Sequence, residues 1–173
     1  MVEKVSVRRA GPVDEEAVLG LADAAMVWLV ERGRTGQWGS KPWSDDPARV
    51  EAVRGMLSRN EPWMAQVEGR PAGILILADR APEYVPAAGR PELYVLLLIT
   101  ARAHAGLGVG GLLLDFARQR ARERGIGLLR VDCWRGGDGN LVSYYESQGF
   151  TPTAAFDYGG WPGQVLEQDL AAR

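Results

Sequence analysis

The chain has 173 residues and a formal net charge of −2, and 46% of its residues are apolar while 24% are charged. This composition is that of a folded protein, and the length suits a single domain over residues 1–173. A charge near zero provides no long-range attraction to polyanions, so neither nucleic acid nor a membrane surface is expected as a partner.

Cysteine and histidine each occur once, as Cys133 and His104. One cysteine excludes an internal disulfide, and the two residues together cannot supply a standard zinc site, so no metal is expected. The longest apolar run, LYVLLLIT, is much shorter than a membrane span, and the N-terminal MVEKVSVRRA lacks the apolar core of a signal peptide. We therefore expect a cytoplasmic protein.

The first third of the chain predicts one strand and two helices. KVSVRRA alternates as a short strand does, and an apolar stripe of helical spacing follows it. GRTGQWGSKPWS is interpreted as a packed loop because it carries Trp38 and Trp43. Asp46 and Pro47 are typical of a helix start, so a second helix is predicted as far as about Arg59.

The rest of the chain predicts six strands and two helices. WMAQVEGRPAGILIL indicates two strands joined at Glu68-Gly69, and LYVLLLIT indicates a strand buried on both faces. A helix from Val109, the strand LLRVDCW, a short helix near NLVSYYESQ and the hairpin TPTAAFDYGGWPGQVLEQDL follow. The predicted class is α/β (α+β), with helices covering a mixed sheet.

The most informative stretch is HAGLGVGGLLLDFA, which places four glycines between a buried strand and a helix. Glycine permits positive φ and close approach of a ligand to the backbone, and the amides at a helix N-terminus attract phosphate. A P-loop is excluded because Leu112 and Leu113 stand where Lys and Ser or Thr are required.

Two other interpretations of the turn remain. Gly106, Gly108 and Gly111 match the dinucleotide spacing, with Asp132 at about the distance of a ribose partner, although the loop does not open a Rossmann unit. The turn is also consistent with simple close packing of strand and helix.

AGLGVGGLL followed by YYESQGF resembles the GNAT superfamily of acetyl-CoA-dependent N-acetyltransferases. The resemblance implies one mostly antiparallel, mixed sheet of six to seven strands with about four helices, and backbone amides that hold the coenzyme A diphosphate. Gly108 and Gly110 take the family's glycine places, and Ala105 stands where Gln or Arg is usual. The implied coenzyme-binding residues are Leu98, Ile99 and Thr100 of the strand, Ala105, Gly106, Leu107, Gly108, Val109, Gly110 and Gly111 of the turn, and Asp138 and Asn140.

Acetyl transfer to an amine requires a base for the amine and a proton for the leaving thiolate. The resemblance makes Tyr145 the proton donor, with Tyr144 its neighbour. In the family a strand glutamate often acts as the base, and its usual position corresponds to Tyr94 in this sequence. Glu92 is the preferred base here because strand alternation puts it on the same face as Tyr94, and Asp132 is the second choice. No Cys–His pair is evident for a covalent route through Cys133.

The sequence thus predicts an enzyme that transfers acetyl from acetyl-CoA to a primary amine of a small molecule or peptide by direct attack in a ternary complex. Trp38, Trp43 and Trp161 either wall an acceptor pocket or cover the core. Peptide N-terminus, lysine, polyamine, aminoglycoside and amino acid all remain open as acceptors, and relatives often form homodimers. The alternative is a noncatalytic acyl-CoA-binding sensor or assembly subunit.

Overall fold

The computed structural model describes residues 4–171. Its strands and helices follow the predicted order. The strands are β1 (Val5–Arg9), β2 (Glu61–Val67), β3 (Arg70–Ala78), β4 (Leu93–Thr100), β5 (Leu128–Trp134), β6 (Thr151–Tyr158) and β7 (Trp161–Asp169). The helices are α1 (Glu15–Glu31), α2 (Pro47–Arg59), α3 (Val109–Glu123) and α4 (Asn140–Ser147).

The seven strands form one mixed sheet in the order β1-β2-β3-β4-β5-β7-β6. β4 and β5 are parallel, whereas β1 and β2, β5 and β7, and β6 and β7 pair antiparallel. This is the α/β class that the element order predicts. Among the helices of the described residues, none is both long and apolar enough to cross a membrane.

Two compact units make up the chain. One comprises the chain as far as Ile76 together with Leu97–Leu113, and the other comprises Leu77–Leu96 and the chain from Leu114 onward. The boundaries fall inside β3, β4 and α3, so the units do not correspond to separate segments of sequence.

In the first unit, local sequence stabilises the turn before α1 and explains where α2 begins. Asp14 precedes α1 and accepts hydrogen bonds from the Arg8 guanidinium and from the Gly11 amide. Asp46 caps α2 by accepting from the Ala48 amide at 3.1 Å, as predicted for an Asp-Pro start.

The loop between these helices is packed, which confirms its interpretation from sequence. Trp43 is buried, its ring centroid lies 5.2 Å from that of Trp38, and the Arg49 guanidinium lies over it.

In the second unit, β5 pairs with β4 on one side and β7 on the other. Tyr94 and Val165 form part of a buried apolar cluster that also holds Ala78 and Val85. Val85 lies in the segment between β3 and β4, so this segment packs over one face of the sheet. That packing determines where the polar residues described next are located.

Candidate active site

The glycine turn lies in the first unit, between β4 and α3. Gly106 and Gly108 have φ of +89° and +69°, which side-chain-bearing residues rarely adopt. The Ala105 and Leu107 amides donate to Arg102 O at 3.2 Å and His104 O at 3.3 Å. Within the described residues the Gly106 and Gly108 amides make no such bond.

The space around this turn is open. A Cβ added at Gly106 or Gly108 would meet nothing within 4 Å, and the neighbouring Ala105 and Leu107 are exposed. The first-turn amides of α3 add further donors at the positive end of the helix dipole. A cradle of amides that no side chain fills is suited to a diphosphate.

A fifth glycine, Gly73 in β3, sets how closely α3 lies to the strands of this unit. A Cβ there would be 3.0 Å from both Val109 Cγ1 and Leu113 Cδ1 and 3.1 Å from Ile99 O. Sequence reasoning missed Gly73, since a glycine inside a strand pattern shows no sign of which helix crosses it.

Arg102, which precedes the turn, stacks on α1. Its guanidinium lies 4.1 Å from the ring centroid of Trp28, and that of Arg32 lies at the same distance from the ring. Neither arginine forms an ion pair with a carboxylate of the described residues. The turn is therefore anchored to α1 and carries uncompensated positive charge beside it.

β4 is not buried along its whole length, contrary to the prediction of a strand covered on both faces. Leu93, Tyr94, Val95 and Ile99 are buried, but Leu96 to Leu98 and Thr100 are only half-buried. The C-terminal half of β4 is therefore only partly covered by other residues. Leu98 and Thr100 in this half belong to the stretch expected to pair with pantetheine.

In the second unit, Tyr94 and Asp132 form a hydrogen-bonded pair. The Tyr94 hydroxyl donates to Asp132 Oδ1, although the residues are 38 positions apart in sequence. Burial raises the pKa of Asp132, and the Tyr94 hydrogen bond opposes that rise only in part. Burial, followed by the Asp132 charge, raises the pKa of Tyr94 as well. Asp132 is half-buried, so the pair is close to the protein surface.

Glu92 is held by an ion pair and a backbone amide. Arg130 Nη1 donates to Glu92 Oε2 at 3.1 Å, and the Ala81 amide donates to Glu92 Oε1 at 2.6 Å. Arg130 also donates to Glu167 at 3.1 Å and to Pro86 O at 2.8 Å. With 6% of Glu92 and 2% of Arg130 exposed, both Glu92 oxygens are engaged in a buried network.

Tyr145 is buried on α4 against two aromatic rings. Its centroid lies 5.3 Å from that of Tyr144 and 5.8 Å from that of Phe150, both in edge-to-face geometry. Its hydroxyl has no hydrogen-bond partner among the described residues, and burial raises its pKa. The neutral phenol therefore retains a proton that it can donate.

Cys133 lies next to Asp132 in β5 and is buried. Burial, with the Asp132 charge, raises the pKa of its thiol to about 12, so the thiolate needed for covalent catalysis is not favoured.

Asp138 and Asn140 lie at the start of α4 and bond to each other. The Asn140 amide donates to Asp138 Oδ1 at 3.1 Å, and its side-chain Nδ2 donates to Oδ2 at 2.7 Å. They are thus close neighbours at a helix N-terminus in the second unit. The residues expected to bind pantetheine and diphosphate belong to the first unit.

Sequence reasoning missed Arg130 and Tyr84. Arg130 stands in an apolar strand pattern and Tyr84 in a Pro-rich loop, so only their tertiary partners reveal a role. Over residues 4–171, no group of three or more His, Cys, Asp or Glu side chains has the arrangement of a metal site.

Comparison with known proteins identifies a family. A family model described as the acetyltransferase (GNAT) family matches residues 22–150 of the chain. No curated protein matches the sequence.

Several solved structures share the fold of this chain. Their sequence identities to it are low, so the similarity concerns the fold alone. A GNAT-family acetyltransferase from Listeria monocytogenes 4b F2365 is 23% identical over 96% of this chain and 95% of that chain, with a TM-score of 0.71. The ribosomal-protein-S18-alanine N-acetyltransferase of Escherichia coli is 13% identical over 98% and 96%, with a TM-score of 0.68. The yncA protein of Salmonella typhimurium, solved with its cofactor acetyl-CoA, is 18% identical over 96% and 94%, with a TM-score of 0.63.

Proposed function

Because the chain belongs to the acetyltransferase (GNAT) family, we propose that it transfers the acetyl group of acetyl-CoA to a primary amine by direct attack in a ternary complex. The observation that carries the proposal is the open turn at Gly106 and Gly108, whose amides are unused and lie at the start of α3. Such a turn supplies the donors that a diphosphate needs.

The turn from Ala105 to Gly111 holds the diphosphate through its backbone amides in this proposal. Leu98, Ile99 and Thr100 offer backbone groups to the pantetheine arm, and the half-burial of Leu98 and Thr100 leaves room beside β4. Asp138 and Asn140 are additional coenzyme contacts, as the family resemblance implies. Bound acetyl-CoA supplies the thioester carbonyl that the amine attacks.

Asp132 is the group that removes the proton from the amine in this proposal. Its carboxylate is half-buried, and its raised pKa makes it a better proton acceptor than an ordinary aspartate. Glu92, the base preferred from sequence, has both oxygens engaged by Arg130 and Ala81, so we assign it a positioning role.

Tyr145 returns a proton to the leaving thiolate. Its hydroxyl is protonated at all physiological pH values because burial raises its pKa, and it has no other partner among the described residues to hold that proton. The base and the acid are separate groups, and no covalent enzyme intermediate is needed.

Two measurements test the function. Calorimetric titration with acetyl-CoA measures coenzyme binding, and release of free thiol across a panel of primary amines measures transfer. We expect both for the wild-type protein. Coenzyme binding without amine-dependent thiol release would instead support the acyl-CoA-binding sensor.

The Gly108→Glu variant tests the turn itself. A carboxylate there repels the diphosphate, so acetyl-CoA binding is expected to be lost. Gly69→Glu is the matched control, since Gly69 also has positive φ and open surroundings but lies in the turn between β2 and β3. Equal binding by the two variants would refute the assigned cradle.

A further inference from the structure

Four aromatic rings of the second unit form a continuous surface, which we call the aromatic wall: Tyr84, Phe156, Tyr158 and Trp161. The centroid of Tyr84 lies 4.5 Å from that of Tyr158 and 5.7 Å from that of Phe156. Phe156 lies 6.2 Å from Trp161. Tyr84 and Tyr158 are 42% and 59% exposed, so the wall presents apolar surface to solvent.

The wall is held in place rather than loosely attached. Tyr84 lies in the segment between β3 and β4, and Arg130 and Glu92 fix that segment through Pro86 O and the Ala81 amide. Val85, the next residue, is buried in the cluster with Tyr94. Phe156 lies across Gly163 of the neighbouring strand so closely that a Cβ at that position would overlap its ring.

A carboxylate lies close to the wall. Burial, followed by the charges of Asp132 and Tyr158, raises the pKa of Tyr84 to about 12, so Tyr84 stays neutral. Phe156 packs on the cluster of Tyr94, whose hydroxyl donates to Asp132. Aromatic faces next to a partly desolvated carboxylate attract an ammonium group attached to an apolar body.

We propose that the aromatic wall selects, as acceptors for the reaction proposed above, primary amines carried on an aromatic or aliphatic hydrocarbon group. Asp132 receives the ammonium group, and the rings of Tyr84 and Tyr158 cover the hydrocarbon. This inference rests on the proposed acetyl transfer, because it names the acceptors of that reaction. The preference for a hydrocarbon group, however, depends only on the aromatic wall.

The test compares 2-phenylethylamine with ethanolamine, two primary amines on a two-carbon chain, at saturating acetyl-CoA. We expect kcat/KM to be at least roughly tenfold higher for 2-phenylethylamine, because only its ring can be covered. Tyr84→Ala and Tyr158→Ala should abolish most of this preference through a higher KM for 2-phenylethylamine. Tyr84→Phe and Tyr158→Phe, which keep the ring, should retain it.

Equal kcat/KM values for the two amines, or a preference unchanged in both alanine variants, would overturn the inference while leaving acetyl transfer intact. Should no amine be acetylated, calorimetric titration of 2-phenylethylamine into the protein with coenzyme A measures whether the aromatic wall binds this amine. Binding that is weakened by Tyr158→Ala would support the wall although the proposed function had failed, and absence of binding would overturn both. Tyr158 is more exposed than Tyr84, so its variant serves if Tyr84→Ala does not fold.

Discussion

At the scale of single residues, the partners of an acidic group decide what it can do. Glu92 and Asp132 both belong to the second unit, yet Glu92 is neutralised by a buried arginine whereas Asp132 has only a phenol as its side-chain hydrogen-bond partner. Burial raises the pKa of Asp132, and the Tyr94 hydrogen bond and the nearby Arg130 charge oppose that rise only in part, so its carboxylate is a better proton acceptor than that of an ordinary aspartate.

The pH dependence of turnover tests Asp132. Since its pKa is raised above 3.8, the basic form accumulates only above that raised value, and kcat/KM should rise with pH through it. Asp132→Asn should lower kcat/KM about a hundredfold at pH values above that raised pKa, where the wild-type carboxylate is basic, and progressively less as the pH approaches the pKa of the free amine, which then arrives neutral. A loss that is the same at every pH would indicate a purely structural role.

Tyr145→Phe tests the proton donor. The hydroxyl makes no hydrogen bond in the described residues, so its removal leaves no buried group unpaired and the variant is expected to fold. We expect turnover to fall by about a hundredfold with little change in acetyl-CoA affinity. Tyr144→Phe is the matched control on the adjacent position, and an equal effect of both changes would remove Tyr145 from the mechanism.

At the scale of elements, glycines mark where another part of the chain approaches closely. Gly73 brings α3 near to β3, and Gly163 allows the Phe156 ring to lie across β7. Gly20, by contrast, is exposed within α1, and a Cβ added there would meet nothing within 4 Å, so this glycine only weakens the helix.

Alanine at two of these positions should therefore change stability in opposite directions. Gly163→Ala forces the Phe156 ring to move and should lower the free energy of unfolding by about 1–3 kcal/mol. Gly20→Ala should raise it by about 0.5–1 kcal/mol by restricting the unfolded chain. Urea unfolding measures both, and a neutral Gly163→Ala would show that the ring is free to relocate.

At the scale of the whole molecule, the order of strands and helices follows from the hydrophobic pattern. Period-two and helical spacings, with turn residues between them, predict all seven strands and four helices, since each depends on neighbours a few positions away. The prediction that β4 is buried on both faces was only partly correct, because burial depends on which elements cover the strand.

The sequence by itself determined the element order, the Asp46 helix cap and the glycine turn before α3, because each depends on the local backbone preferences of adjacent residues. Only the tertiary structure decided that Glu92 pairs with Arg130, that Tyr94 bonds to Asp132 and that the aromatic wall forms. Both of these polar pairs join residues 38 positions apart, and strand register and burial fix such contacts.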